Sequence, residues 1–271
     1  MMKYGMILKS KYRNDHQRYL KKIKKKELFI KIIKISILII FLIFWELLGR
    51  LEIINTFLLS YPTKILKTIL VLTKENNLLT HIFTTTTEVL ISFILSTIIG
   101  IIIASIMWLN NTFTKIIDPY LSVINSLPKV AIGPLLIIYF GTDIKTIIIL
   151  AVLISVFTVI LNLYDSFSNT DTYKITLMKS FKATKLQIFT KLVLRGNLNS
   201  IINILKINIS LSLIGVIMGE LLVSKKGLGY LINYACQLFN LNLVITSIFI
   251  LGVLSYILYI IVSKLELLLK K

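Results

Sequence analysis

Residues 89–109 run for 21 positions without a charged side chain, and that run restricts the fold more than any motif. A bilayer-spanning helix needs about 20 mainly apolar residues. In lipid, every backbone N–H and C=O must be satisfied within the protein, which leaves helices and closed barrels as spanning structures. Five further stretches are mainly apolar over a similar length, four of them with one to three charged residues: residues 32–51, 120–140, 144–164, 201–223 and 243–262. The stretch 120–140 is broken, with Pro128, Gly133 and Pro134 inside it and Pro119 just before. Each proline removes a backbone donor, so the kink needs neighbouring protein or water to satisfy the freed groups. Hydrophobic residues make up 56% of the 271 and charged ones 16%, whereas a soluble domain carries about 45–50% and about 25%. No water-soluble interior could hide that much Ile, Leu, Val and Phe, which removes disorder and an ordinary soluble enzyme together. The expectation is an all-α, polytopic integral membrane protein with about six transmembrane helices.

The chain has 31 basic and 12 acidic residues. In a soluble protein that excess points to nucleic acid. Here no soluble domain is left to form a groove, so no nucleic-acid partner is expected, and the excess is read as positive-inside bias. Residues 1–34 hold twelve basic residues, 110–129 hold two (Lys115, Lys129), 165–206 hold seven and the C-terminus three; the alternate segments together hold seven. Both termini are therefore expected in the cytoplasm, with the chain multi-pass in the cell membrane. Lys206 lies six residues into the stretch 201–223, within reach of the cytoplasmic interface. The run Lys21, Lys22, Lys24, Lys25, Lys26 can set topology and hold anionic lipid, at about 1 kcal/mol per lysine, or serve as a regulatory docking site. The first apolar stretch could also be a signal peptide, but its long basic leader and the lack of a small-residue cleavage site after Leu48 favour a retained anchor. Residues 1–31 are thus expected to form a basic cytoplasmic extension and 32–268 the membrane domain.

Chemistry-bearing residues are sparse. The single cysteine, Cys236, excludes an intramolecular disulfide and a cysteine-based metal cluster. His16 and His81, the two histidines, have no neighbours suited to a metal site or a catalytic base. No Gly-x-x-x-x-Gly-Lys-Ser/Thr phosphate loop occurs, so ATP is not bound by that route. Neither a cofactor, a metal nor enzyme chemistry is expected in this chain.

Residues 165–200 are too patterned for a connector. Tyr173, Leu177 and Phe181 recur at i, i+4 and i+8 with Met178 beside them, while Lys174 and Lys182 lie towards the other side. Thr184, Lys185, Leu186 and Gln187 then read as a capping box opening a second helix. Leu186, Phe189 and Val193 continue an apolar face. The loop is expected to be helix, tight turn, helix: either an interfacial hairpin on lipid headgroups or a knob that fits a partner's groove.

At this point the chain resembles a known family. The stretch Ser126-Leu127-Pro128-Lys129-Val130-Ala131-Ile132-Gly133-Pro134-Leu135 running to Tyr139-Phe140-Gly141, followed late by Gly219-Glu220-Leu221-Leu222 and Gly227-Leu228-Gly229-Tyr230-Leu231-Ile232, is similar to the permease subunit of bacterial ABC importers. The nitrate, sulfonate and taurine branch is the most alike, and the resemblance covers roughly residues 60–268. It implies that the loop carries coupling helices docking into an ABC ATPase subunit, which would hold ATP and Mg. It also implies an extracytoplasmic solute-binding protein and a homodimer in the lipid bilayer. The coupling surface would comprise Tyr173, Thr176, Leu177, Met178, Phe181, Lys182, Ala183, Thr184, Leu186 and Phe189. Two positions depart from the family's Glu-Ala-Ala, three residues, Gly pattern: Thr176 stands for the glutamate and Lys182 for the glycine. Arg195 stands where a proline is usual. If the glycine serves a left-handed turn, a lysine there costs roughly 1–2 kcal/mol.

Ionisable residues within spans are functional candidates by default. Glu46 and Glu88 lie near the ends of their apolar runs, where interface capping competes with a pathway role. Glu220 follows the small-residue stripe Gly215, Gly219, which lets two backbones approach. That stripe can serve packing within the chain, a dimer contact or the translocation path. Ser210 and Ser212 can line a polar path or bond back to their own helix.

The favoured reading is the membrane-spanning subunit of an ATP-driven importer, moving a small sulfonate-, nitrate- or taurine-like anion by alternating access. The rivals are a self-contained secondary transporter or channel, and a degenerate permease with weakened coupling through Thr176 and Lys182.

Overall fold

The structure is a computed structural model describing residues 2–51, 60–75 and 78–269. Lys270 and Lys271, counted in the charge bias, lie outside the described residues. Among those described there are helices and connecting turns and no strand. In chain order the helices are α1 (Met2–Arg50), α2 (Pro62–Glu75), α3 (Leu78–Leu109), α4 (Asn111–Ser126), α5 (Gly133–Phe140), α6 (Ile144–Ser168) and α7 (Thr172–Ser180). They continue as α8 (Lys185–Ile188), α9 (Leu194–Gly196), α10 (Leu198–Val223), α11 (Leu228–Gln237) and α12 (Leu241–Leu269). A 3-10 turn (Lys129–Ile132) precedes α5, and a π turn (Phe189–Val193) joins α8 to α9. Five helical segments are long and apolar enough to cross a bilayer: Lys25–Arg50, Leu78–Leu109, Ile144–Ser168, Leu198–Val223 and Leu241–Lys264. The pair Asn111–Ser126 and Lys129–Phe140 makes a sixth if taken as one broken span.

The chain divides into two compact units, residues 1–66 and 67–271. In the first, the apolar side chains of residues 28–44 are mostly exposed, as a lipid-facing helix requires. Glu46 accepts from the Thr63 backbone N–H (3.0 Å), the Thr63 hydroxyl (2.5 Å) and Arg50 Nε (2.7 Å), so it is fixed by protein rather than reaching for the interface. The Trp45 indole donates to the Ser60 carbonyl at 2.8 Å.

In the second unit α6 is the central helix, packed against α3 and α10. Small residues make that possible. A Cβ on Gly100 would lie 2.5 Å from Val159 Cγ1, one on Gly215 2.5 Å from Ala151 Cα, and one on Gly219 2.9 Å from Ile147 Cγ2. The stripe Gly215, Gly219 is thus occupied inside the chain by α6. Polar side chains stitch the same helices together. Asn208 Nδ2 donates to Thr97 Oγ1 at 2.8 Å, while Asn208 Oδ1 accepts from Ser96 Oγ at 3.0 Å. Ser210 bonds back to the Lys206 carbonyl at 3.2 Å, whereas the buried Ser212 hydroxyl has no hydrogen-bond partner.

The broken span departs from its expected outline. It begins earlier, at Asn111, because Asn110 caps α4 by accepting from the Thr112 and Phe113 N–H groups, both at 3.1 Å. Pro119 therefore lies inside α4 rather than ahead of the span. The chain bends by 85° between Ser126 and Lys129, where Pro128 has no N–H to continue the helix. Lys129 sits at this bend over the Phe157 ring, 5.8 Å from its centroid. Phe157 is the 14th of the 25 residues of α6.

Candidate functional site

The hairpin between α6 and α10 is built from caps. Asp171 opens α7 by accepting from the Tyr173 N–H at 2.9 Å. The helix closes in a Schellman turn: the Lys182 N–H donates to the Lys179 carbonyl (2.8 Å) and the Ala183 N–H to that of Met178 (3.1 Å). That closure requires the residue between them to be left-handed, and Lys182 adopts φ +57°. Thr184 then forms the full capping box. Its N–H donates to Gln187 Oε1 at 2.8 Å, and its hydroxyl accepts from the Gln187 N–H at 3.3 Å. Thr176 turns back on its own helix, donating to the Thr172 carbonyl at 2.9 Å.

The residues grouped as one docking surface divide into two sets. Tyr173 (78% exposed), Phe181 (75%), Leu186 (60%) and Leu177 (47%) face outward. Thr176, Lys182 and Thr184 are exposed with them. Met178 and Ala183 pack instead against a core that contains Phe167, Ile188, Phe189 and Val193. The expected continuous face Leu186, Phe189, Val193 is therefore corrected, since Phe189 and Val193 are buried and Leu186 is not. Leu186 and Phe189 are three positions apart, about 300° of helix turn, enough to carry Phe189 under the Trp108 and Phe167 rings while Leu186 stays outside.

Phe189 is the anchor. Its ring lies 5.3 Å from that of Trp108 and 5.4 Å, edge-on, from that of Phe167. Trp108 Nε1 donates to the Phe167 carbonyl at 3.1 Å, and Lys185 Nζ stands 5.8 Å over the Trp108 ring. The hairpin thus rests on the ends of α3 and α6. Asn197 ties its base, donating to Thr170 Oγ1 (2.8 Å) and the Val193 carbonyl (2.9 Å). Sequence reasoning missed Trp108, Phe167 and Asn197; the one available signal was an indole at the end of an otherwise uninterrupted span.

At the opposite end of this unit, Glu220 is wholly buried. It accepts from the Thr85 hydroxyl and the Gly229 N–H, each at 2.6 Å. Thr85 Oγ1 accepts from the Leu228 N–H at 2.8 Å, and His81 Nδ1 from the Gly227 N–H at 3.0 Å. Three successive N–H groups at the start of α11 are thereby satisfied by side chains, and a carboxylate suits a helix N-terminus. The glycines have a steric reason: a Cβ on Gly227 would overlap Glu220 Oε1, and one on Gly229 would lie 2.7 Å from Glu220 Cβ. Glu88 stands beside this network with its carboxyl group against that of Glu220. It lines a cavity of about 440 Å³ with Thr84, Asp143, Ser224, Lys225 and Lys226. Among the described residues no group of three or more His, Cys, Asp or Glu side chains could hold a metal ion.

The arrangement has counterparts elsewhere. The family described as the binding-protein-dependent transport system inner membrane component matches residues 96–271. The chain is 29% identical to the formylaminopyrimidine transport permease protein ThiX of Halalkalibacterium halodurans, over 83% of this chain and 89% of the relative. It is 25% identical to a putative aliphatic sulfonates transport permease protein SsuC of Bacillus subtilis, over 78% and 76%. To the taurine transport system permease protein TauC of Escherichia coli it is 22% identical, over 83% and 84%. In fold it is similar to a chain of the MetNI methionine ABC transporter in an inward-facing conformation, with a TM-score of 0.64, 17% identity and coverage of 72% of this chain and 96% of the other.

Proposed function

The chain belongs to the family of binding-protein-dependent transport system inner membrane components, and from that premise we propose how its hairpin and helices divide the work. It is the permease subunit of an ABC importer, a multi-pass membrane protein and not an enzyme. In our reading the hairpin is the coupling element. Closure of two ATPase subunits on ATP and Mg pushes it, and the push is delivered to α3 and α6 through the Trp108, Phe167 and Phe189 cluster. Two copies of the chain enclose the path, an extracytoplasmic binding protein delivers the solute, and both termini lie in the cytoplasm. The basic residues of the hairpin and of residues 1–34 support that orientation. The solute we assign is a small sulfonate- or taurine-like anion, the reading supported by the names of two of the relatives.

One observation carries this proposal. Tyr173, Leu177, Phe181 and Leu186 are exposed on a hairpin that is itself rigidly seated. Aromatic anchors projecting from a fixed support are what a partner's groove takes up. The left-handed Lys182 and the intact Thr184 box keep the turn closed without a glycine, which favours working coupling over a degenerate permease. The test is a pull-down of the ATPase. Phe181→Asp should lose the ATPase while keeping the wild-type thermal unfolding profile, and retention equal to wild type overturns the docking role.

A further inference from the structure

Lys129 is a cation without a counter-charge at the break of the third span. α4 ends at Ser126, Leu127 is extended, and Pro128 cannot donate, so the carbonyls at the end of α4 lack helical partners. Lys129 Nζ donates to the Asn125 carbonyl at 3.0 Å and to Asn125 Oδ1 at 2.9 Å. Asn125 Oδ1 accepts a further hydrogen bond from Thr158 of α6 at 3.1 Å. Phe157 of α6 forms the other wall, its centroid 5.8 Å from Nζ. None of these groups is charged. Two of the three ammonium protons are engaged by Asn125, and the side chain is only partly buried. Because Phe157 and Thr158 are the 14th and 15th of the 25 residues of α6, the charge lies beside a point about 20 Å from one end of that helix and about 15 Å from the other, which for a spanning helix is towards the middle of a hydrocarbon core about 30 Å thick. Neutral carbonyls and a ring face offset part of the cost of holding an ammonium there and leave its charge uncompensated.

We propose that Lys129 is the fixed cation that a small monoanionic solute meets at mid-membrane, with Asn125 and Phe157 as positioning residues. This rests on the importer reading given above. In the resting subunit Asn125 holds the ammonium; during passage the anion accepts a hydrogen bond from the third N–H, which keeps its proton, and supplies the missing charge. Asn125 then keeps the lysine from swinging to an interface. A purely structural role, in which Lys129 only closes the end of α4, predicts a different response to substitution.

The test uses the complete transporter, permease with its ATPase and binding protein, in proteoliposomes. ATP-driven uptake of ethanesulfonate and of nitrate is measured against uptake of neutral formylaminopyrimidine. Lys129→Arg should retain anion uptake. Lys129→Gln, which keeps a donor for Asn125 but drops the charge, should lower it about tenfold or more, the factor expected for a lost charge-assisted hydrogen bond. Asn125→Asp should lower it as far, because it retains every acceptor and supplies an internal counter-ion. Wild-type anion uptake by Lys129→Gln or by Asn125→Asp overturns the proposal, as does a wild-type protein that carries only the neutral solute. If Lys129→Gln fails to assemble, Asn125→Asp decides alone. Anion uptake without ATPase or ATP would sink the importer reading instead, while the same variants would still report on Lys129.

Discussion

Lys182 holds a backbone conformation that costs an L-residue roughly 1–2 kcal/mol, and the Schellman bonds at Lys179 and Met178 keep it there. Lys182→Gly relieves that strain and should stabilise the closed turn by about 1 kcal/mol. The measurement is amide hydrogen exchange at Lys182 and Ala183, expected to slow about fivefold, with no change at α11. Gly227 is the opposite case. Its φ of +110° and the Glu220 carboxylate beside its missing Cβ leave no space for a side chain. Gly227→Ala should lower the thermal unfolding midpoint markedly through combined overlap and strain. Gly196→Ala is its control: no atom lies within 4 Å of the added Cβ and φ is not positive, so its midpoint should stay within about 1 °C of wild type, the small shift usual for surface changes. Equal losses in the two variants would show that the loss follows glycine removal itself and not the contact with Glu220.

Within single elements, sequence periodicity was a good guide wherever one local rule operated and failed where two elements met. The turn at Lys182 and the box at Thr184 and Gln187 were legible because capping chemistry depends on neighbours two or three residues away. The split of the docking residues was not, because periodicity gives a face without saying which element covers it. Spacing joins Phe189 to Leu186, yet it is buried between Trp108 of α3 and Phe167 of α6. Likewise Gly227 and Gly229 were visible as a motif, but their reason, a carboxylate on α10 and a hydroxyl on α3 meeting the start of α11, depends on tertiary packing. The two phenylalanines make a decisive pair. Phe189→Ala should destabilise the hairpin by about 3–5 kcal/mol, the usual cost of emptying a buried aromatic site. It should also shift the Trp108 contribution to fluorescence to the red. Phe181→Ala should leave both quantities near wild type and act on ATPase binding alone.

At the scale of the molecule, the side that each loop faces is an expectation of the charge bias, and a native residue can report it. The segment of residues 165–206, which contains the hairpin, carries seven basic residues. Cys236 is the chain's single cysteine and is exposed on α11, after α10, so it lies at the opposite end of that span from the hairpin. A charged maleimide cannot cross the bilayer. In right-side-out vesicles it should label Cys236 fully and leave a Cys236→Ser, Phe181→Cys variant unlabelled; in inverted vesicles the pattern should reverse. Labelling of Cys236 only in inverted vesicles would place the hairpin outside, where no ATPase can reach it. Two observations now treated as independent, the basic hairpin and the exposed aromatic residues it carries, would then need separate explanations, since the charge rule and the coupling role both require Tyr173 and Phe181 to face the cytoplasm.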